Sequence, residues 1–190
     1  MGPWEALDED HAVIQGQDQV VVLSHTRPLP VAELAYEHGF WVSSVAAGPK
    51  SWLTVLEPSV RVEEQRVQLA HVTKRMAWVQ DRYDQDFHLT GFGQAPDGVC
   101  FTVMTKGTRR GSEHYKSFAE WPPDHARVMR SEHGEALTTV VGSPRHWHLV
   151  STQQKRWGGQ RVSTREDWEG LKSAIQTGWD EGRRITSLAW

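Results

Sequence analysis

The sequence has little cysteine and no long hydrophobic run. Cys100 is the one cysteine among 190 residues, so neither an intramolecular disulfide nor a cysteine-pair zinc site can form, and a reducing compartment is the expected setting. The longest purely aliphatic run, Val20–Leu23, is far too short to cross a bilayer. The acidic beginning of the chain has neither the basic nor the apolar region of a signal peptide. We therefore expect a cytoplasmic protein with no membrane partner.

The sequence also lacks a strong excess of charge of one sign. It carries 21 basic and 24 acidic residues, which gives a formal net charge of −3. Nucleic-acid binding over a whole face needs an excess of positive charge, so this balance argues against a nucleic-acid partner. A chain of 190 residues with 38% hydrophobic residues can bury one sizeable core, and we expect a single globular domain over residues 1–190.

Tryptophan is unusually frequent, with ten residues, and two of the tryptophans recur in similar segments. The segment from Gly39 to Trp52 aligns without a gap with the segment from Gly134 to Trp147. Further copies begin near positions 86 and 182, so the spacing between successive copies is 47, 48 and 48 residues. A near-constant period of this length predicts stacked or ring-arranged units.

Each unit combines a helix with a β-hairpin. Short strands rich in β-branched residues follow the aligned positions, and turn-forming residues such as Gly48-Pro49 separate them from second strands that begin near Trp52, Phe101 and Trp147. Apolar residues at three- and four-residue spacing predict helices over 30–38, 69–83 and 167–179. Pro122-Pro123 is typical of the first turn of another helix.

These elements predict an α+β fold of about four αββ units, near residues 12–56, 60–105, 114–151 and 163–190. The chain begins with a strand that resembles a second strand of a unit and ends with a first strand that has no partner. Pairing Val20–Ser24 with Ile185–Trp190 would remove two exposed sheet edges. We therefore expect a closed or nearly closed, propeller-like ring.

Several short motifs resemble a known family. Val103–Thr108, His114–Lys116 and Trp179–Ala189 are similar to segments in the C-terminal domain of plant casein-kinase-one-like (MUT9-like) kinases. The resemblance extends over roughly residues 35–190 and implies a Trp-rich repeat domain with an accessory or binding role. The Gly-rich phosphate loop and the HRD and DFG motifs of a kinase are missing from this sequence, so the resemblance implies no kinase activity.

Most tryptophans and the single cysteine are expected in the core, because packing of equivalent units places the same large side chain at the same position. Trp157 is different, since it lies beside arginines in a polar, glycine-containing loop, which is typical of a binding surface. His146 and His148 would point to one side of a strand and could ligate a divalent metal. No HExxH motif or cysteine pair accompanies them, so we expect no metal and no cofactor.

Basic residues cluster in three loops that each follow a predicted strand. Arginine and lysine together with glycine backbone and threonine hydroxyls suit phosphate or carboxylate groups. A ring would bring equivalent loops to one rim; the alternative is a set of ordinary solvated loops. In the first unit, Glu57 occupies the position after the second strand where basic residues would be expected. The predicted ligand-binding residues are Arg27, Lys106, Arg109, Arg110, Lys155, Arg156, Trp157 and Arg161.

The sequence therefore favours a non-catalytic binding or accessory module that recognises an anionic small molecule or a protein or peptide segment through this basic rim. A small hydrolase, lyase or cyclase that uses a central pocket is one alternative, and an inhibitory or accessory protein partner is another. Binding is favoured because the polar residues follow the sequence period, whereas a catalytic site needs converging polar groups with perturbed pKa values, which would break it.

Overall fold

A computed structural model describes residues 3–58, 62–107, 113–120, 135–142, 147–153, 165 and 167–189. In this part of the chain, ten strands form three antiparallel sheets, and three α-helices accompany them. A 3-10 turn, Pro3–Ala6, precedes the first strand. None of the described helices is long and apolar enough to cross a membrane.

The first sheet has four strands in the order β1-β2-β4-β3. The hairpin of β1 (His11–Gln15) and β2 (Val20–Ser24) lies beside the hairpin of β3 (Phe40–Ala47) and β4 (Trp52–Pro58). All five residues of β2 are buried, which explains its continuous aliphatic run. The helix α1 (Leu29–Glu37) connects β2 to β3 and has proline in its first turn, where no backbone N–H is needed.

The other two sheets have three strands each. The second sheet has the order β5-β7-β6 and the third sheet the order β8-β10-β9. The helix α2 (Val72–Tyr83) directly follows β5, and α3 (Trp168–Asp180) is capped by Asp167, whose side chain accepts a hydrogen bond from Gly170 N at 2.7 Å. The strands are β5 (Glu64–His71), β6 (His88–Gln94), β7 (Val99–Lys106), β8 (Glu113–Phe118), β9 (Glu135–Gly142) and β10 (Trp147–Gln153).

The strands β3, β6 and β9 are edge strands of their sheets, and they bring the sheets together. β3 packs against β6, and β6 packs against β9. A Cβ on Gly91 would lie 3.5 Å from the Val45 side chain, and a Cβ on Gly93 would lie 3.2 Å from Ala47 N. β3 and β6 therefore run side by side in the same direction, and glycine allows this close approach.

The hairpins β3–β4, β6–β7 and β9–β10 share one β-bulge. In each hairpin the register skips one residue of the first strand, namely Ser43, Thr90 or Thr138. The hydroxyl of the skipped residue donates to a carbonyl oxygen of the second strand, which stabilises a residue that has no ladder partner. The distances are 3.3 Å from Ser43 to Val55, 3.4 Å from Thr90 to Val103 and 3.2 Å from Thr138 to Val150.

Three main hydrophobic clusters fill the spaces between these elements. One lies between the first sheet, α1 and the second sheet, and includes Phe101. Another lies between α2 and the second sheet, and extends to Val141 and Val150 of the third sheet. The remaining large cluster packs Ile175 of α3 against Val21 and other residues on the opposite face of the first sheet. The first sheet is therefore covered on both faces.

The predicted ring of about four αββ units is wrong. The described strands form three separate sheets, and none of them closes. β2 pairs with β1 on one side and with β4 on the other, so it has no free edge for the end of the chain. Residues 185–189 form no strand. The Gln19 and Ser44 side chains bond backbone groups of this segment, and its own Ser187 hydroxyl bonds the backbone of β9, as described below.

The three hairpins predicted from the period are present, whereas two outer strands are not foreseen. The predicted helix over 69–83 begins only at Val72, because residues 69–71 belong to β5. β8 has no counterpart among the predicted elements. The helix predicted at Pro122-Pro123 and the predicted strand residue Trp190 lie outside the described residues.

Candidate functional site

The structure describes two of the eight predicted ligand-binding residues, Arg27 and Lys106. Exposed Arg27 follows β2, whose last residue Ser24 pairs with Trp52 at the beginning of β4. Lys106 ends β7, next to the beginning of β6. Because β3 and β6 run in the same direction, Arg27 and Lys106 lie at opposite ends of their sheets, and the structure does not bring them together. Arg109, Arg110, Lys155, Arg156, Trp157 and Arg161 lie outside the described residues.

The strands that precede the two strongly basic loops have the same place in their sheets. β7 is the central strand of the second sheet, and β10 is the central strand of the third sheet. Lys106 ends the first of these strands and Gln153 ends the other. In the first sheet, β4 is the matching second strand of its hairpin, and its end carries Glu57 instead of a basic residue.

The structure describes no metal site at the two weak metal candidates, His146 and His148. His146 lies outside the described residues. The backbone of His148 belongs to β10 and pairs with Val141 and Ser117. Among the residues that the structure describes, no group of three or more His, Cys, Asp or Glu side chains could hold a metal ion.

Cys100 is a buried thiol. It is 1% exposed on β7, and its Sγ lies 3.7 Å from the Gly98 carbonyl oxygen. Burial raises the pKa of the Cys100 thiol, and the nearby Arg75 guanidinium opposes part of this shift. A thiol that is both inaccessible and protonated is a poor nucleophile, which is the state expected from the sequence.

Gln65 on β5 connects the second sheet to the first. Its Oε1 accepts from Val42 N at 3.0 Å and from the Tyr36 hydroxyl at 2.9 Å, while its Nε2 donates to Val42 O at 3.0 Å. The same Nε2 donates to the Thr105 hydroxyl at 2.7 Å. One amide side chain thus bonds both backbone groups of Val42, directly before the bulge of β3. Burial raises the pKa of the Tyr36 hydroxyl far above its ordinary value, so this group remains a neutral donor.

Gln19 makes a closely similar set of contacts with the C-terminal segment. Its Oε1 accepts from Ile185 N at 2.8 Å and from Trp179 Nε1 at 3.2 Å, and its Nε2 donates to Ile185 O at 2.9 Å. A further bond joins Nε2 to Glu57 Oε2 at 3.2 Å. Gln19 is 2% exposed, so its amide has little access to water and depends on these partners.

Two serines extend this attachment towards the third sheet. Leu188 N donates to Ser44 Oγ at 3.0 Å, and Ser187 Oγ accepts from Val140 N at 2.7 Å. The segment 185–189 therefore connects β3 with β9 through side chains. Gln19, Gln65, Ser44 and Ser187 are the residues that the sequence reasoning misses. The available sequence signal was a polar residue next to aliphatic strand residues, as at Gln19 and Ser44. Their exposure of only 2–3% is what makes them distinctive, and burial is not visible in a sequence.

These polar groups hold the sheets together and offer no exposed acid, base or nucleophile. A shallow groove of about 320 Å³ lies along α3, lined by Glu169, Lys172, Ser173, Gln176 and Thr177. All five side chains come from one helix, so among the described residues no second element helps to enclose a substrate there.

Comparisons with known proteins give a family and no activity. No solved structure matches the chain. Casein kinase 1-like protein HD16 from Oryza sativa subsp. japonica is 24% identical over 90 residues, which are 47% of this chain and 13% of that protein. The chain thus matches a small part of that relative's length. The family model described as Domain of unknown function (DUF7477) matches residues 4–190, and the chain belongs to this family.

Proposed function

We propose that this domain is a non-catalytic binding module that recognises an anionic small molecule or an anionic protein segment through the loops after β7 and β10. The observation that carries the proposal is the common place of these two strands, each central in a three-stranded sheet. Both strands lead into basic sequence, which begins at Lys106 in one case and at Lys155 in the other. Arg27 is not part of the proposed site, because it lies at the other end of its sheet.

The similarity to a kinase-related protein supports an accessory role. The relative is named a casein kinase 1-like protein, and the match covers 13% of it. The motif resemblance to the C-terminal domain of MUT9-like kinases points the same way. A domain that accompanies a catalytic domain can act by holding a substrate, a regulator or a second protein, and anionic recognition by arginine and lysine suits each of these roles.

A central catalytic pocket receives no support from the contacts between the sheets. A Cβ on Gly93 would approach the Trp52 ring to 3.1 Å, and a Cβ on Gly91 would lie 3.5 Å from the Val45 side chain. Where β3 and β6 meet, the space between the sheets is therefore filled by protein atoms. A substrate would need room that these contacts already occupy.

The test is a titration with tripolyphosphate and with an acidic decapeptide of glutamate, monitored by NMR. The variant replaces Arg109, Arg110, Lys155 and Arg156 with serine. We expect both probes to shift the Lys106 amide resonance in the native protein, and we expect binding to weaken as salt screens the charges over about 8–10 Å. The variant should lose this binding and keep its melting temperature within about 2 °C, because the proposal assigns these side chains to ligand binding and not to packing.

The matched control replaces four exposed cations from other parts of the chain, Lys50, Lys74, Lys116 and Lys172, with serine. It removes the same charge from the molecule and should retain most of the affinity. Equal losses in the two variants would mean that net charge attracts the probes, and the proposed site would then be wrong. Native protein that binds neither probe at low salt would contradict the proposal directly.

A further inference from the structure

Within the described part of the chain, the outer edge of the first sheet is an open strand edge. β1 pairs with β2 on one side, and it stands at the end of the strand order. Among the described residues, no strand pairs with its other side. An edge of this kind carries a row of backbone donors and acceptors that can pair with an added strand.

The alternation of hydrogen-bonded pairs between β1 and β2 identifies which backbone groups of β1 face outward. Gly16 N donates to Gln19 O at 2.9 Å, and His25 N donates to Asp10 O at 3.0 Å. Because antiparallel pairs alternate, Ala12 and Ile14 direct their N–H and C=O groups to β2. The N–H and C=O groups of Val13 and Gln15 therefore point away from the sheet. Both side chains are exposed, Val13 to 37%.

The surroundings of this edge are acidic. Glu9 and Asp10, both exposed, precede β1, and neither carboxylate has an ion-pair partner among the described residues. Asp8 is exposed too, and its Oδ1 accepts from Asp10 N at 3.1 Å and contacts His11 Nδ1 at 2.7 Å. These hydrogen bonds lower the pKa of Asp8, so it is ionised at neutral pH. Exposed Arg27, near the same end of the sheet, offsets one of these charges.

We infer that β1 receives an extended basic peptide segment of a partner protein by strand addition. The backbone of Val13 and Gln15 would supply the pairing, and the Val13 side chain would contact an apolar or β-branched residue of the added strand. Glu9 and Asp10 would attract basic residues at the end of that strand. This site is distinct from the proposed anion-binding loops, since it lies on another sheet and selects the opposite charge.

A second copy of this chain is a poorer occupant. Antiparallel self-pairing centred on Val13 would place the acidic residues 8–10 of one copy near Asp18 of the other; these like charges oppose such pairing, although Arg184, 3.9 Å from Asp18, offsets part of the repulsion. The second sheet also has an outer strand, β5, but Arg66 and Glu64 form an ion pair there, so that edge has a mixed charge. Charge therefore favours a basic strand at β1, and between β1 and β5 it favours β1.

The probe is a decapeptide in which threonine and valine alternate, with two lysines at each end. Hydrogen exchange of the full chain is measured by NMR with and without the peptide. The peptide should slow exchange of the Val13 and Gln15 amides about tenfold or more at saturation, and leave Ala12 and Ile14 nearly unchanged. A peptide N-methylated at every threonine and valine should give no protection, because neither of its edges keeps the N–H groups that the ladder needs.

Charge is tested with Glu9→Gln combined with Asp10→Asn, and the matched control is Glu33→Gln combined with Glu37→Gln on exposed positions of α1. The first variant should bind the peptide about tenfold more weakly, as expected for two exposed ion pairs, and the control should bind normally. Equal weakening, protection at β5 instead of β1, or protection of Val13 by self-association without peptide would each overturn the inference. Loss of binding to the anionic probes bears on the proposed function alone.

Discussion

Replacing Gln19 with leucine should destabilise the whole domain, because this one side chain attaches the C-terminal segment to the first sheet. The four hydrogen bonds of its amide connect it to Ile185 N, Ile185 O, Trp179 and Glu57. Leucine has a similar size and no polar atoms, so the change removes all four bonds with little change of volume. The backbone groups of Ile185 would then be left partly buried without their partners.

The magnitude follows from the number of bonds. Each is worth about 1 kcal/mol of net stability, which gives about 4 kcal/mol for the set. Burial of the apolar surface of leucine contributes about 1 kcal/mol of stability. The net loss in the free energy of unfolding is therefore about 3 kcal/mol. For a chain of this length, a loss of that size lowers the melting temperature by about 6–12 °C.

The assay is guanidinium unfolding followed by circular dichroism, combined with hydrogen exchange of the Ile185 amide. Gln17→Leu is the matched control, since Gln17 is exposed two positions earlier and its loss should be within about 0.5 kcal/mol. Gln65→Leu should reproduce the effect of Gln19→Leu, because Gln65 also makes four bonds. A loss below about 1 kcal/mol at Gln19, with the Ile185 amide still protected, would refute this reasoning.

Two further predictions concern packing and reactivity. Gly93→Ala should cost about 1–3 kcal/mol in chemical denaturation, because the added Cβ would meet backbone of β3 at 3.2 Å and backbone cannot move aside easily. Gly178→Ala in α3, where a Cβ meets nothing within 4 Å, should stabilise by about 0.5–1 kcal/mol. Cys100 should react with a thiol reagent such as DTNB at pH 8 only after denaturation; fast reaction of the native protein would contradict its burial and raised pKa.

The hairpins could be predicted from the sequence because their signals are local. Turn residues such as Gly48-Pro49 separate short β-branched runs, and the structure places strands on both sides of this turn. The aligned glycines also have a local cause, since Gly39 and Gly182 adopt φ values of 75° and 72°. Glycine adopts such values without strain, and Asp86, at the aligned position of another copy, has a similar φ of 66°, which aspartate tolerates better than most residues.

The outer strands and the arrangement of sheets could not be predicted, because their causes are not local. The residues from Leu69 to His71 match the helical spacing of α2, yet they pair with Phe101, Cys100 and Val99 of β7. Pairing with a strand some 30 residues away is a tertiary effect that overrides a periodicity signal. The ring prediction failed for a related reason, since it assumed that the residues after Ile185 needed a strand partner. Gln19 and Ser44 satisfy part of that need with side chains.

The structure gives the positions of two predicted ligand-binding residues, Arg27 and Lys106. The end of β7 at Lys106 is where the period places it, while Arg27 is not equivalent, because β2 is paired differently from β7. The sequence contains His25-Thr-Arg27 after a strand, but it does not indicate which other strand this preceding strand pairs with. Position in the sheet, which decides on which side a loop emerges, depends on pairing partners far along the chain.

The cover of the first sheet has a consequence during synthesis on the ribosome. All four strands of this sheet have been made once Pro58 is added, but α3 and the segment near Leu188, which cover one face, follow about 110–130 residues later. At about 5–20 residues per second, that interval lasts roughly 5–25 s. The aliphatic side chains of Val21, Leu53 and Val55 would face water or a chaperone throughout this time. Nascent chains halted before Trp168 should therefore be bound by chaperones, and release should coincide with the emergence of α3.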